Sequence, residues 1–138
     1  EANAPFWNDP PPPIVAGRCP ELWNYEVIEL FLLGNEEHYL EIELGPHGHY
    51  LALQLDGRRR VVRDDLLLDF RATVADGRWL GLARIPQAWL PPGFARSNAY
   101  AIHGCGAERR HLAWQPCPGA QPDFHRLDVF APHSLTLG

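Results

Sequence analysis

From Trp23 onward, polar and apolar residues alternate in short runs, and turn residues break those runs every 8 to 12 positions or so. No stretch holds a helical period. His38 to Leu44 is the clearest case: Leu40, Ile42 and Leu44 point one way, and Tyr39, Glu41 and Glu43 the other. His49 to Leu55 repeats the pattern with Leu51, Leu53 and Leu55. Gly34-Asn35, Gly45-Pro46-His47-Gly48, Asp56-Gly57 and Asp76-Gly77 supply the turns. Further strands are expected at Tyr25–Leu33, Arg58–Val62, Leu66–Val74, Arg78–Ile85, Ala99–His103, His111–Trp114 and Asp123–Phe130. A parallel α/β fold needs crossover helices of about a dozen residues, and none is visible. The pattern predicts an all-β antiparallel β-sandwich of about eight to ten strands with little helix.

The chain has 138 residues, which favours one domain. Residues 1–22 form a proline-rich lead-in, expected to pack partly on the domain. Asp9-Pro10-Pro11-Pro12-Pro13 reads as extended polyproline. Residues 23–138 form the single sandwich domain. Trp79 on a strand and Trp89 on the short turn opened by Pro86 are expected in the core.

A net charge of −5 argues against a nucleic-acid surface. No apolar run approaches the ~18 residues of a membrane span. Every basic side chain is arginine, so a Walker-type phosphate loop, a Schiff base and a lysine general base are excluded. The chain starts at Glu1 without methionine, and is expected to be a fragment or a processed product. Cys19, Cys105 and Cys117 are odd in number, widely spaced and without a CxxC. They predict free thiols in a reducing, cytoplasmic setting.

Nucleophile and zinc signatures are missing. Neither Ser97 nor Ser134 sits in a GxSxG elbow, and the seven histidines match no zinc pattern. His103 and Cys105, two apart, share a strand face. Glu41 and Glu43 also share a face, and two readings of them stand side by side. They are either a ligand- or calcium-binding carboxylate set, or a solvated, salt-bridged strand face. Glu29 lies in an apolar row and needs a partner, for which Arg84 or the Arg58-Arg59-Arg60 run is available. Carboxylates on one strand face cannot flank a glycosidic bond, so hydrolysis is disfavoured. Trp23 and Trp114 lie near loops, where an indole can stack on the apolar face of a sugar.

The segments Leu22-Trp23-Asn24-Tyr25-Glu26-Val27-Ile28-Glu29-Leu30-Phe31-Leu32 and His38-Tyr39-Leu40-Glu41-Ile42-Glu43-Leu44-Gly45-Pro46-His47-Gly48 resemble the core signature of carbohydrate-binding module family 9 and its DOMON relatives. Phe6-Trp7-Asn8-Asp9-Pro10-Pro11, Ala101-Ile102-His103-Gly104 and Pro122-Asp123-Phe124-His125 are similar to a vertebrate and bacterial family named after an open reading frame of human chromosome four. The resemblance implies a module 9-type sandwich with a saccharide pocket, and structural calcium in some members. It carries over no activity.

The expected function is therefore a non-catalytic domain for a saccharide or similar polar small molecule. Trp23 and Trp114 would stack, and Glu41, Glu43, Arg84 and His103 would hydrogen-bond. The alternatives are an intracellular protein-interaction module with a vestigial pocket and, more weakly, a metal-dependent enzyme. No cofactor is expected beyond a structural calcium.

Overall fold

The computed structural model describes residues 1–133; Ser134 lies outside them. Eleven strands follow in order: β1 (Ala2–Pro5), β2 (Gly17–Arg18), β3 (Val27–Leu33), β4 (His38–Leu44), β5 (His49–Asp56), β6 (Val61–Arg63), β7 (Asp69–Ala75), β8 (Arg78–Arg84), β9 (Arg96–His103), β10 (Arg110–Ala113) and β11 (Ala131–Pro132). Helical structure is limited to 3₁₀ turns such as Leu22–Asn24, Gln87–Trp89 and Leu127–Val129.

The strands form two sheets. The larger runs β10-β9-β3-β4-β5-β2, with β11 on β9 and β6 on β5. The smaller runs β1-β8-β7. Pairing is antiparallel except for β2 with β5. The small sheet covers one face of the large one, as an all-β sandwich requires. Period-two alternation divides the apolar residues of the large sheet between its faces. Leu32, Leu40, Ile42 and Ala52 meet Trp79, Leu66 and Leu68 on the sandwich side. Val27, Phe31, Tyr39, Leu51, Leu53 and Ile102 lie on the opposite side.

Among the described residues no sheet covers that second face. Cys19, Leu22, Leu127 and Phe130, all from irregular segments, close over it. Asp123–Phe130, expected as a strand, forms part of this cover. Its buried residues Leu127 and Phe130 are three apart, a turn spacing, and Arg96 donates hydrogen bonds to the carbonyls of Asp128 and Phe130. A period of two never develops there.

Turn chemistry explains the other boundaries. Asp76 (φ 52°) and Gly77 (φ 71°) both take positive φ, the two-residue hairpin geometry that matches strand twist. Gly34 serves close approach instead: a Cβ there would lie 2.3 Å from the Pro92 carbonyl oxygen. The Asp56-Gly57 turn is wider than a two-residue hairpin, because Asp56 N–H bonds the Arg60 carbonyl at 3.0 Å. Arg58 and Arg59 therefore sit in the turn, and β6 begins only at Val61, beside a register shift in β5. Leu66 and Leu68 are buried, but pairing starts at Asp69. Trp79 is buried, whereas Trp89 is only half-buried.

The proline-rich start is fastened to the sandwich. β1 pairs with β8, and Ala2 and Ala4 are buried. The buried Glu26 carboxylate accepts from the backbone N–H groups of Trp7 (3.0 Å) and Asp9 (3.1 Å). His49 Nε2 donates to the Ile14 carbonyl at 2.9 Å. β1, β2 and β11 had no counterpart among the expected strands, because pairings of two to four residues carry no readable period.

Candidate functional site

A cavity of about 500 Å³ opens on the second face of the large sheet. The central strands build its floor: Glu29 from β3, Glu41 from β4, Leu53 and Leu55 from β5, and Ile102 from β9. Irregular segments build its walls. Trp23 and Asn24 come from the turn before β3, Arg59 from the β5–β6 turn, Arg109 and His111 from the start of β10, and Phe124 and His125 from the cover.

Each wall is held by identifiable bonds. Leu22 is fully buried and Tyr25 N–H closes the turn on its carbonyl at 2.9 Å, which leaves the next residue, Trp23, 41% exposed at the mouth. Arg109 donates to the carbonyls of Gly104, Trp23 and Tyr25, so one guanidinium ties β10 to the indole-bearing turn. Asn98, wholly buried on β9, grips the opposite wall. Its amide donates to the Gln115 carbonyl (2.8 Å), and its oxygen accepts from Gln115 N–H (2.9 Å). Arg58 and Arg59 each bind Asp123 at 2.9 Å.

Two floor residues, Glu29 and Glu41, form a cluster of three carboxyl groups with Glu43 beneath them. Glu29 and Glu43 face each other across β3 and β4, and Glu41 is two residues along β4. The expectation of a solvated or salt-bridged face is overturned: Glu29 is 1%, Glu41 5% and Glu43 0% exposed. Among the described residues none of them joins a salt bridge. The arginines expected beside Glu29 are engaged elsewhere, Arg84 with Asp69, Arg58 and Arg59 with Asp123, and Arg60 with Asp56. Burial pushes Glu41 up to about 7. Glu29 and Glu43 are driven well above the ordinary carboxylate value, first by burial, then at Glu29 by the Glu41 charge and at Glu43 by the charges of Glu29 and Glu41. The Arg109 charge partly offsets this at Glu29.

A hydrogen-bond relay stands beside the acids. Arg59 N–H donates to Tyr39 Oη (2.9 Å), and the same hydroxyl shares a hydrogen bond with His125 Nδ1 (2.7 Å). Burial, then the Arg59 charge, outweigh the nearby Asp123 carboxylate and lower His125 to about 4. The folded state thus binds fewer protons than the unfolded chain between the ordinary value of 6.5 and about 4. The resulting stability is complete above pH 6.5 and is lost as pH falls through that window. Discounted for partial exposure, the loss is on the order of 1–2 kcal/mol. Urea unfolding at pH 7 and pH 4 should show it as a shrinking difference between the parent and His125→Gln, in which the other titrations largely cancel.

The structure brings together part of the site expected from sequence. Trp23 and Glu41 line the cavity, and Glu43 is buried in contact distance of Glu41's carboxylate cluster. Arg84 ends β8 in the other sheet, paired with Asp69 at 3.3 Å. His103 stacks on Trp7 with ring centroids 3.9 Å apart, away from the cavity lining. Trp114 follows β10, is 55% exposed, and does not line the cavity. Asn24, Arg59, Arg109, His111, Phe124 and His125 line it without having been singled out as ligands. Asn24, Phe124 and His125 had drawn notice only within segments that carry a resemblance, and Arg59 only within the arginine run.

No family model matches the chain. It is 46% identical to the UPF0462 protein C4orf33 homolog of Rattus norvegicus, with 98% of this chain and 72% of the rat protein covered. It is 42% identical to the UPF0462 protein C4orf33 of Homo sapiens, with 94% of this chain and 70% of the human protein covered. Among solved structures, a candidate carbohydrate-binding protein from Bacteroides uniformis shares the fold. The TM-score is 0.70 at 16% identity, over 96% of this chain and 67% of that one.

Proposed function

This chain belongs to the UPF0462 C4orf33 family, and we propose that it is a non-catalytic binding domain whose cavity takes a saccharide or a similar polar small molecule. The observation that carries the reading is an exposed indole at the mouth of a cavity floored by carboxyl groups. Trp23 and Phe124 offer flat apolar surfaces of the kind that pack on sugar C–H faces. Glu29, Glu41, Asn24 and Arg59 offer acceptors and donors for hydroxyls. A cavity of about 500 Å³ falls within the range of small-molecule sites. The fold shared with a candidate carbohydrate-binding protein adds support.

A binding role fits the acids better than hydrolysis does. Glu29, Glu41 and Glu43 rise from one sheet face, so no two of them stand on opposite sides of a ligand as glycoside hydrolysis requires. A glycan array followed by calorimetry tests the proposal. A saccharide should bind with a dissociation constant between micromolar and millimolar. Trp23→Ala should weaken that binding at least tenfold with little change in melting temperature. If no glycan binds, or if Trp23→Ala leaves affinity intact, the proposal is wrong.

A further inference from the structure

Saccharide binding leaves the arrangement of the floor unexplained. Like charges directly opposite one another in a sheet repel, yet Glu29 and Glu43 occupy such a pair. One carboxylate oxygen from each of Glu29, Glu41 and Glu43 lies within 4.8 Å of the others. A second observation is independent of the clustering. Glu43 is wholly buried and neither of its oxygens has a hydrogen-bond partner; Glu29 Oε2 has none either. Buried polar atoms are nearly always satisfied, and leaving one bare is costly. Apart from the Glu41 carboxyl beside Glu43, no side chain among the described residues supplies these oxygens with a partner.

We infer that Glu29, Glu41 and Glu43 together bind one hard divalent cation of calcium's size at the floor of the cavity. Oxygens that all lie within 4.8 Å of one another can share one ion at about 2.3–2.6 Å, the usual calcium–oxygen range. Calcium accepts an irregular set of carboxylate oxygens, whereas magnesium demands near-octahedral geometry and gives up its waters reluctantly. The donors are all oxygen, and no histidine or cysteine joins the group, a set that disfavours zinc and copper. One divalent ion offsets two of the three carboxylate charges, and the Arg109 guanidinium acts on Glu29 to offset the rest. Glu29 and Glu41 line the cavity, so the remaining coordination positions face it. The site goes beyond the saccharide reading and is tested without any sugar.

The test uses the whole chain, stripped with chelator and dialysed. Calcium chloride, magnesium chloride and zinc chloride are titrated separately by calorimetry, with melting followed in parallel. One calcium should bind per chain, at least tenfold more tightly than magnesium or zinc, and the melting temperature should rise with calcium concentration. Glu43→Gln and Glu29→Gln should each weaken calcium at least tenfold while near-ultraviolet circular dichroism stays native. Trp114→Ala, exposed and outside the cavity, should alter calcium affinity less than threefold. Absence of binding heat and of a melting shift overturns the site. So does calcium binding that survives Glu43→Gln, or tighter binding of zinc.

Discussion

Glu43→Gln should make the cation-free protein more stable, by about 1–3 kcal/mol. In the parent, the Glu43 carboxyl is fully buried, without hydrogen-bond partners, and faces two further carboxyls. The amide keeps the shape, carries no charge, and brings an NH₂ group that can donate to Glu29 or Glu41. Chemical unfolding in chelator should show a higher midpoint with an unchanged slope. Added calcium should reverse the ranking, since the parent gains more from the ion than the variant does. A variant less stable than the parent in chelator would mean that the three acids are satisfied by an arrangement other than the one described.

Asn98→Ala should be the more damaging change, costing about 2–4 kcal/mol. Asn98 is 0% exposed and uses both ends of its amide. Besides its two bonds to the Gln115 backbone, it donates to Tyr100 Oη at 2.9 Å. Truncation leaves the N–H and carbonyl of Gln115 unpaired at the base of the segment that carries Phe124 and His125. Hydrogen exchange across residues 115–126 should accelerate more than in β3 or β4, because the loss is local before it is global. Uniform acceleration throughout the sheet would contradict that account. Asn98→Asp keeps the acceptor but loses the donors, and should fall between parent and alanine variant.

The central strands were readable because each carries a full period of two between recognisable turns. β4 and β5 begin and end almost where the alternation does, and Asp76-Gly77 forms the hairpin its composition demands. That Glu41 and Glu43 share a face also followed from the period. Burial of that face did not. Alternation divides a strand into two sides without saying what lies over either, and here the cover is made of Leu22, Leu127 and Phe130 from segments with no period. Arg109 and His125 were hidden for the same reason, since both reach the cavity from irregular backbone. Arg84 and His103 sit on strands that were foreseen, but pairing order puts Arg84 in the opposite sheet, and the Trp7 ring occupies the face of His103.

The pairing of β1 with β8 sets an order of events during synthesis. Ala2 meets Gly81, so β1 leaves the ribosome long before β8 exists. At about 5–20 residues per second, several seconds separate the two. A strand left waiting with an open edge invites wrong pairing. Here its inward residues are only Ala2 and Ala4, which offer little greasy surface to a passing chain.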